Sequence, residues 1–252
     1  MLIVLLSLVA AGAAGYLIWY YGSAAKTEQG YEEARQKAVA EIPEKESGTG
    51  TDSETDGNDG KKPEIPVDFD ALQAVNPEVY GWIRIEGTKV DYPIVQSLTE
   101  DDYYLEHTWE GKKAPEGAIF TQACNAKDFT DFNTAVYGHQ MGEGVDTMFH
   151  TLALYLEEGF MEQHPEVVVY TREHVLRYRV FAAVIYDDRH LIGAFNYVMN
   201  DERQAFLDSV RNSRDLRNRY CDAESVGIRD RIRRSLLFLT ESRNACLSSF
   251  IT

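Results

Sequence analysis

The chain opens on an unbroken apolar run, LIVLLSLVAAGAAGYLIWYY from Leu2 to Tyr21, with no charged residue in it. A helix needs about 20 such residues to cross a bilayer. Tyr16, Trp19, Tyr20 and Tyr21 crowd the far end like an interfacial aromatic belt. The run continues past the small residues Ala10 to Gly15, so it reads as a retained anchor and not as a cleaved signal. Next, YEEARQKAVAEI (Tyr31 to Ile42) is charged and free of Gly and Pro, and predicts a short juxtamembrane helix. The following PEKESGTGTDSETDGNDGKKPEIP has almost no apolar surface to offset its ordering entropy and predicts a flexible stalk. The pattern therefore divides the chain into an anchor (1–25), a juxtamembrane helix with a disordered stalk (26–66) and a folded head (67–252).

In the head the apolar positions alternate more often than they recur at helical spacing. DFDALQAVN predicts a short helix capped by Asp68, with Phe69, Leu72 and Val75 facing inward. YGWIRIEG and KVDYPIVQ predict two strands around the turn Glu86-Gly87-Thr88, and Pro93 favours an edge or a strand start. GAIFTQACN, from Gly117, and TAVYGHQM, Thr134 to Met141, are further strands. DTMFHTLALYLEEGFMEQHP predicts a helix with Phe149, Leu152 and Leu156 on one face, closed by Pro165. VVVYTR and LRYRVFAAVIYD predict a hairpin around Glu173-His174, DERQAFLDSVRNSRDLRNRY an amphipathic helix, and SLLFLTESRNACLSSFIT one last strand. Strands dominate and helices punctuate them, which predicts a mainly β (α+β) head, a barrel with peripheral helices.

Charge narrows the function. A net charge of -16 argues against a nucleic-acid partner, since phosphate binding needs a basic surface. The three cysteines, Cys124, Cys221 and Cys246, are too few and too unevenly spaced for a disulfide framework or a zinc site. His139 follows a β-branched run and so falls at a strand end, where a ring that titrates near neutrality can face a cleft. Used with His150 or His107 it matches no zinc spacing, and no metal or other cofactor is expected.

The order DFDALQAVNPEVYGWIRI, VDYPIVQ, DDYYLEHTWEG, GAIFTQACN, and TAVYGHQM followed by Met148-Phe149 resembles class B sortases, the membrane-anchored cysteine transpeptidases of Gram-positive bacteria. The resemblance covers Asp68 to about Ile232, and rests on NP-x-x-x-GWI and YGHxM in this order. It implies an eight-stranded closed barrel in which a cysteine thiolate attacks the amide of a C-terminal sorting signal on a surface protein. An amine of a peptidoglycan precursor or a pilin then resolves the thioester. It also implies a single-pass protein of the cell membrane with its head outside the cytoplasm, although Lys26, Arg35 and Lys37 all follow the apolar run, so charge bias does not support that orientation. His139 is the matching histidine, a proton donor to the leaving amine.

The nucleophile departs from the family pattern. Laying Leu-x-Thr-Cys on Leu239 to Ser242 puts Glu241 at the threonine and Ser242 at the thiol; without a gap the cysteine would be expected close to Phe238. No arginine follows Arg243 to hold an oxyanion. Three readings stay open: a reading frame altered after Ile232, a displaced nucleophile at Cys246, the nearest thiol in sequence, or a serine nucleophile at Ser242. His139 with Cys246 is the candidate catalytic pair, while Cys124 and Cys221 read as core or surface thiols. The alternative is a catalytically silent sortase-like head that binds surface peptides or assists assembly.

Overall fold

The structure, a computed structural model, describes residues 2–38, 65–141, 145–186, 191–221, 235–240 and 244–250, the last two by their backbone pairing. Helix α1 runs without a break from Leu2 to Ala38. Its apolar half is long enough to span a bilayer and is not buried against the head. Its second half docks: Ala24, Tyr31, Ala34 and Ala38 are buried, at intervals of seven, three and four residues that hold one helix face. The Ala38 carbonyl accepts the Asp68 amide at 2.7 Å, so the helix end touches the start of the head. The separate helix expected from Tyr31 is thus the end of one long element. The expected stalk falls on 39–64, outside the described residues.

Helix α2 (Phe69–Val75) is capped by Asp68, whose carboxylate accepts the Ala71 amide at 3.0 Å, as the sequence predicts. Phe69 and Leu72 are buried, but Val75 is 55% exposed. Six residues at 3.6 per turn carry Val75 well round the helix from Phe69, which takes it off the packing face.

Strands β1 (Val79–Ile85) and β2 (Asp91–Val95) pair antiparallel. Gly87, in the connection, has φ +78, and a Cβ there would come within 2.5 Å of the His164 ring, so only glycine fits. Pro93 lies in β2 opposite Trp82, while the neighbouring β3 (Ile119–Phe120) joins only from Ile94. Proline is tolerated because the ladder at its position is one-sided. β4 (Asn133–His139) follows, then a 3-10 segment from His150 to Leu156 and the short α3 (Phe160–Gln163). Those two replace the single helix expected there, with Gly159 at φ +83 between them. β5 (Glu166–Thr171) and β6 (Val175–Ile185) form the predicted hairpin. After α4 (Leu191–Ala194), α5 runs over Asn200–Arg211, shorter than the pattern suggested, and β7 (Arg219–Tyr220) adds two residues to β6. The last apolar segment is two strands where one was expected, β8 (Ser235–Thr240) and β9 (Asn244–Phe250).

The strand order is β5-β1-β2-β3-β4-β9-β8-β6-β7, and β5 also pairs with β6. Eight strands therefore close into a ring with β7 outside it, the closed barrel the sequence implied. Trp82, Tyr92, Ile94, Ile119, Val136, Phe149, Tyr155 and Tyr178 belong to the main core. A smaller core joins Ala135, Ala182 and Val184 to Phe206 and Val210 of α5. Alternation along β4 sends Val136 to the first core and Ala135 to the second.

Candidate functional site

Alternation places His139 on the β4 face of Ala135 and Tyr137, where it is half-buried at the strand's end. Its Nε2 lies 2.7 Å from the Leu105 carbonyl. A carbonyl only accepts, so Nε2 carries the proton and Nδ1 is left to exchange one. The His139 carbonyl accepts the Phe149 amide at 3.0 Å, which ties the strand end to the segment that follows. Beneath it Gly138 allows close approach: a Cβ there would sit 2.5 Å from Ile119 Cδ1 and 2.8 Å from Phe149 Cδ2. Tyr137 stacks on Phe120 with ring centres 5.5 Å apart.

Leu105 ends the 3-10 turn Tyr103–Leu105, and that turn is pinned from several sides. Asn76 donates to the Tyr104 hydroxyl at 2.7 Å and to the Trp109 carbonyl at 2.5 Å, while its oxygen accepts the Glu78 amide at 2.9 Å. Tyr104 donates in turn to Glu78 at 2.5 Å. Burial, with help from that carboxylate, pushes the Tyr104 phenol well above its ordinary range and keeps it a neutral donor. The asparagine of the NP-x-x-x-GWI pattern is thus a structural hub for the turn that holds His139. The reading from sequence missed Asn76, Tyr104 and Leu105 as site residues; their one signal was a place in the motifs, NP-x-x-x-GWI for the first and DDYYLEHTWEG for the other two.

The other candidates separate clearly. In β9, Asn244 is paired with His139 and Cys246 with Tyr137, so positions 139 and 246 stand diagonally across one antiparallel pair. Such diagonal positions are about 7–8 Å apart and share a face. Ser242 and Arg243 lie in 241–243, outside the described residues. Thr240 and Asn244 flank that segment; Thr240 pairs with Ala245 and Asn244 with His139, at the same end of the sheet. Cys124 is exposed in the β3–β4 connection, and burial and the nearby Asp101 carboxylate push its thiol up, away from thiolate character. Cys221 packs against Met161, sulfur to sulfur at 3.3 Å. His107 stacks on Tyr103 with ring centres 3.9 Å apart, and His150 turns to the Met141 carbonyl. His107, His139 and His150 each have their own carbonyl, and among the described residues no three His, Cys, Asp or Glu side chains converge as a metal site.

The Sortase domain family matches residues 83–216, more than half of the chain, from within β1 to just past α5. The chain belongs to the sortase family. Sortase B of Listeria monocytogenes is 41% identical over 102 residues, 40% of this chain and 40% of that protein. Sortase B of Staphylococcus aureus is 29% identical over 143 residues, 57% of each. The match thus spans about two fifths to somewhat over half of the length of these sortase relatives. Among solved structures, sortase B of Bacillus anthracis in complex with AAEK1 superposes with a TM-score of 0.62 at 21% identity, covering 92% of this chain and 99% of that one. Sortase B of Listeria monocytogenes gives 0.54 at 26% identity over 73% of this chain and all of that one, and a sortase B–substrate complex from Staphylococcus aureus gives 0.55 at 25%, over 73% and 84%. These class B folds agree with the motif order, and the sortase match itself stops before β8 and β9.

Proposed function

We propose that this sortase is a membrane-anchored cysteine transpeptidase, its head outside the cytoplasm, in which Cys246 is the nucleophile and His139 the proton-transfer group. The observation that supports the pair is the β4–β9 register, which puts the two positions on one face of neighbouring strands. A free thiol, with a pKa of about 8.5, is a poor nucleophile at neutrality, so it needs the imidazolium beside it. The Cys246 thiolate attacks the carbonyl carbon of a sorting-signal amide; the new C–S bond replaces the C–N bond, and the departing amine takes a proton from His139. An amine on a peptidoglycan precursor or pilin subunit then attacks the thioester, passes its proton to His139, and Cys246 leaves as thiolate. The Leu105 carbonyl serves this cycle by fixing the protonated nitrogen, so that one ring nitrogen alone gives and takes the proton.

The test is intact-mass detection of an acyl-enzyme when the full chain in detergent meets a library of internally quenched amide peptides. An adduct that maps to Cys246, vanishes in Cys246→Ala and fails to form in His139→Ala is expected. An adduct that survives Cys246→Ala but is lost in Ser242→Ala would move the nucleophile to Ser242. No adduct on any variant would leave the silent peptide-binding head, the reading that Glu241 and Ser242 favour by standing where the family pattern has threonine and cysteine.

A further inference from the structure

The docked half of α1 reaches the same turn that holds His139. Tyr31 is 1% exposed; its ring meets Tyr92 edge-on at 4.9 Å and its hydroxyl donates to the Gly117 carbonyl at 3.0 Å. Gly117 has φ +58, and a Cβ on it would lie 2.6 Å from both the Leu105 and the Tyr104 carbonyl oxygens. The next residue, Ala118, donates its amide to the Tyr104 carbonyl at 2.9 Å. Gly117 is therefore pressed against the Leu105 carbonyl on one side and held by Tyr31 on the other. That carbonyl is the partner of His139 Nε2.

We infer that Tyr31 is a positioning residue for His139, acting through Gly117 and the Leu105 carbonyl, so that the membrane-proximal helix forms part of the site's support. The inference rests on the reading of His139 as the proton-transfer group, but the contact chain stands without it. Supports join from both sides. Thr27 of α1 donates to the buried Glu116 at 3.1 Å, next to Gly117, and Arg35 donates to the Asp91 carbonyl at 2.9 Å. These contacts fix the helix axially, leaving the Tyr31 hydroxyl to set the height of the Gly117 peptide. Without that bond the peptide is held from its amide side alone, by the Ala118 amide on the Tyr104 carbonyl, and the packing of Gly117 against the Leu105 carbonyl loosens.

The experiment uses the full chain in detergent micelles with 15N-labelled histidine, the His139 signals being those lost in His139→Ala. In the parent protein they should show the proton on Nε2. In Tyr31→Phe, which removes one oxygen and little volume, that preference should fall while the His164 and His174 signals stay in place. With an active preparation, kcat should fall on the order of tenfold at unchanged KM, as expected when a reacting group is displaced by a fraction of an ångström. Gly117→Ala, which forces a Cβ onto the Leu105 carbonyl, should move the same His139 signals. Unchanged His139 signals in Tyr31→Phe would overturn the inference, as would a shift shared equally by all histidines with a lowered Tm, which marks a general packing role. The NMR arm needs no turnover, so a protein that proves catalytically silent refutes the transpeptidase reading and still decides this one.

Discussion

Gly138→Ala is the most direct probe of how the barrel shapes its site. The added methyl would stand 2.5 Å from Ile119 Cδ1, 2.8 Å from Phe149 Cδ2 and 3.0 Å from Phe149 Cγ. Real carbon–carbon contacts lie near 3.5–4.0 Å, so something must give by roughly an ångström. Ile119 and Phe149 are both fully buried, and a ring cannot yield as an exposed side-chain tip can. Overpacking of this kind costs about 1–3 kcal/mol. At about 2–4 °C per kcal/mol for a chain of this size, Tm should drop by roughly 2–12 °C. Thermal unfolding of the detergent-solubilised chain, followed by near-UV circular dichroism, measures it. The contact geometry makes a sharper demand on the double variant. Ile119→Val removes the Cδ1 that is closest, so the pair should be more stable than the sum of the single changes predicts, by about 0.5 kcal/mol or more. A Gly138→Ala protein with the parental Tm, or a strictly additive pair, would refute the packing argument.

Other expectations follow from the same contacts. Asn76→Ala leaves the Tyr104 hydroxyl, the Trp109 carbonyl and the Glu78 amide short of a partner, and should cost about 1–3 kcal/mol in denaturant unfolding together with a loss of any His139-dependent turnover. Burial raises the phenols of Tyr31, Tyr80, Tyr92 and Tyr155 above the ordinary value near 10, so the folded state favours their protonated forms. Their contribution is complete below pH of about 10, and stability should fall as pH rises beyond it because the unfolded chain releases those protons first; full ionisation of all the tyrosines well ahead of unfolding, not of the exposed ones alone, would contradict this. Cys124→Ser should leave acyl-enzyme formation unchanged, since its thiol is pushed up and lies in the β3–β4 connection, whereas a large loss would bring that loop into the site.

Much of this architecture is legible from local pattern. The Asp68 cap, the β1–β2 and β5–β6 hairpins and the strand that ends at His139 all carry period-two alternation or turn chemistry within a few residues. Features set at longer range are not. Gly22 and Gly30 look like breaks in α1, yet the helix passes through both, because packing of Ala24, Tyr31 and Ala34 on the barrel outweighs a propensity cost of about 1 kcal/mol per glycine. Nothing between Thr240 and Asn244 is Gly or Pro, so the division of the last apolar segment into β8 and β9 has no turn signal. The diagonal relation of His139 to Cys246 depends on register across a hundred residues, and the grip of Asn76 on the Leu105 turn depends on side-chain geometry. Neither has a period to read.

Ring closure has a consequence for how the molecule is made. On one side of the ring β4 and β6 are joined through β3, β2, β1 and β5, and on the other through β9 and β8, which come latest among the described strands. While the chain emerges from its N-terminus, the sheet remains a cut cylinder whose two open margins, one from each of these strands, present unpaired amides and carbonyls. In this arrangement β8 and β9 seal those margins, so the interval between synthesis of β6 and arrival of β9 is when the nascent head is most exposed to strand exchange with its neighbours.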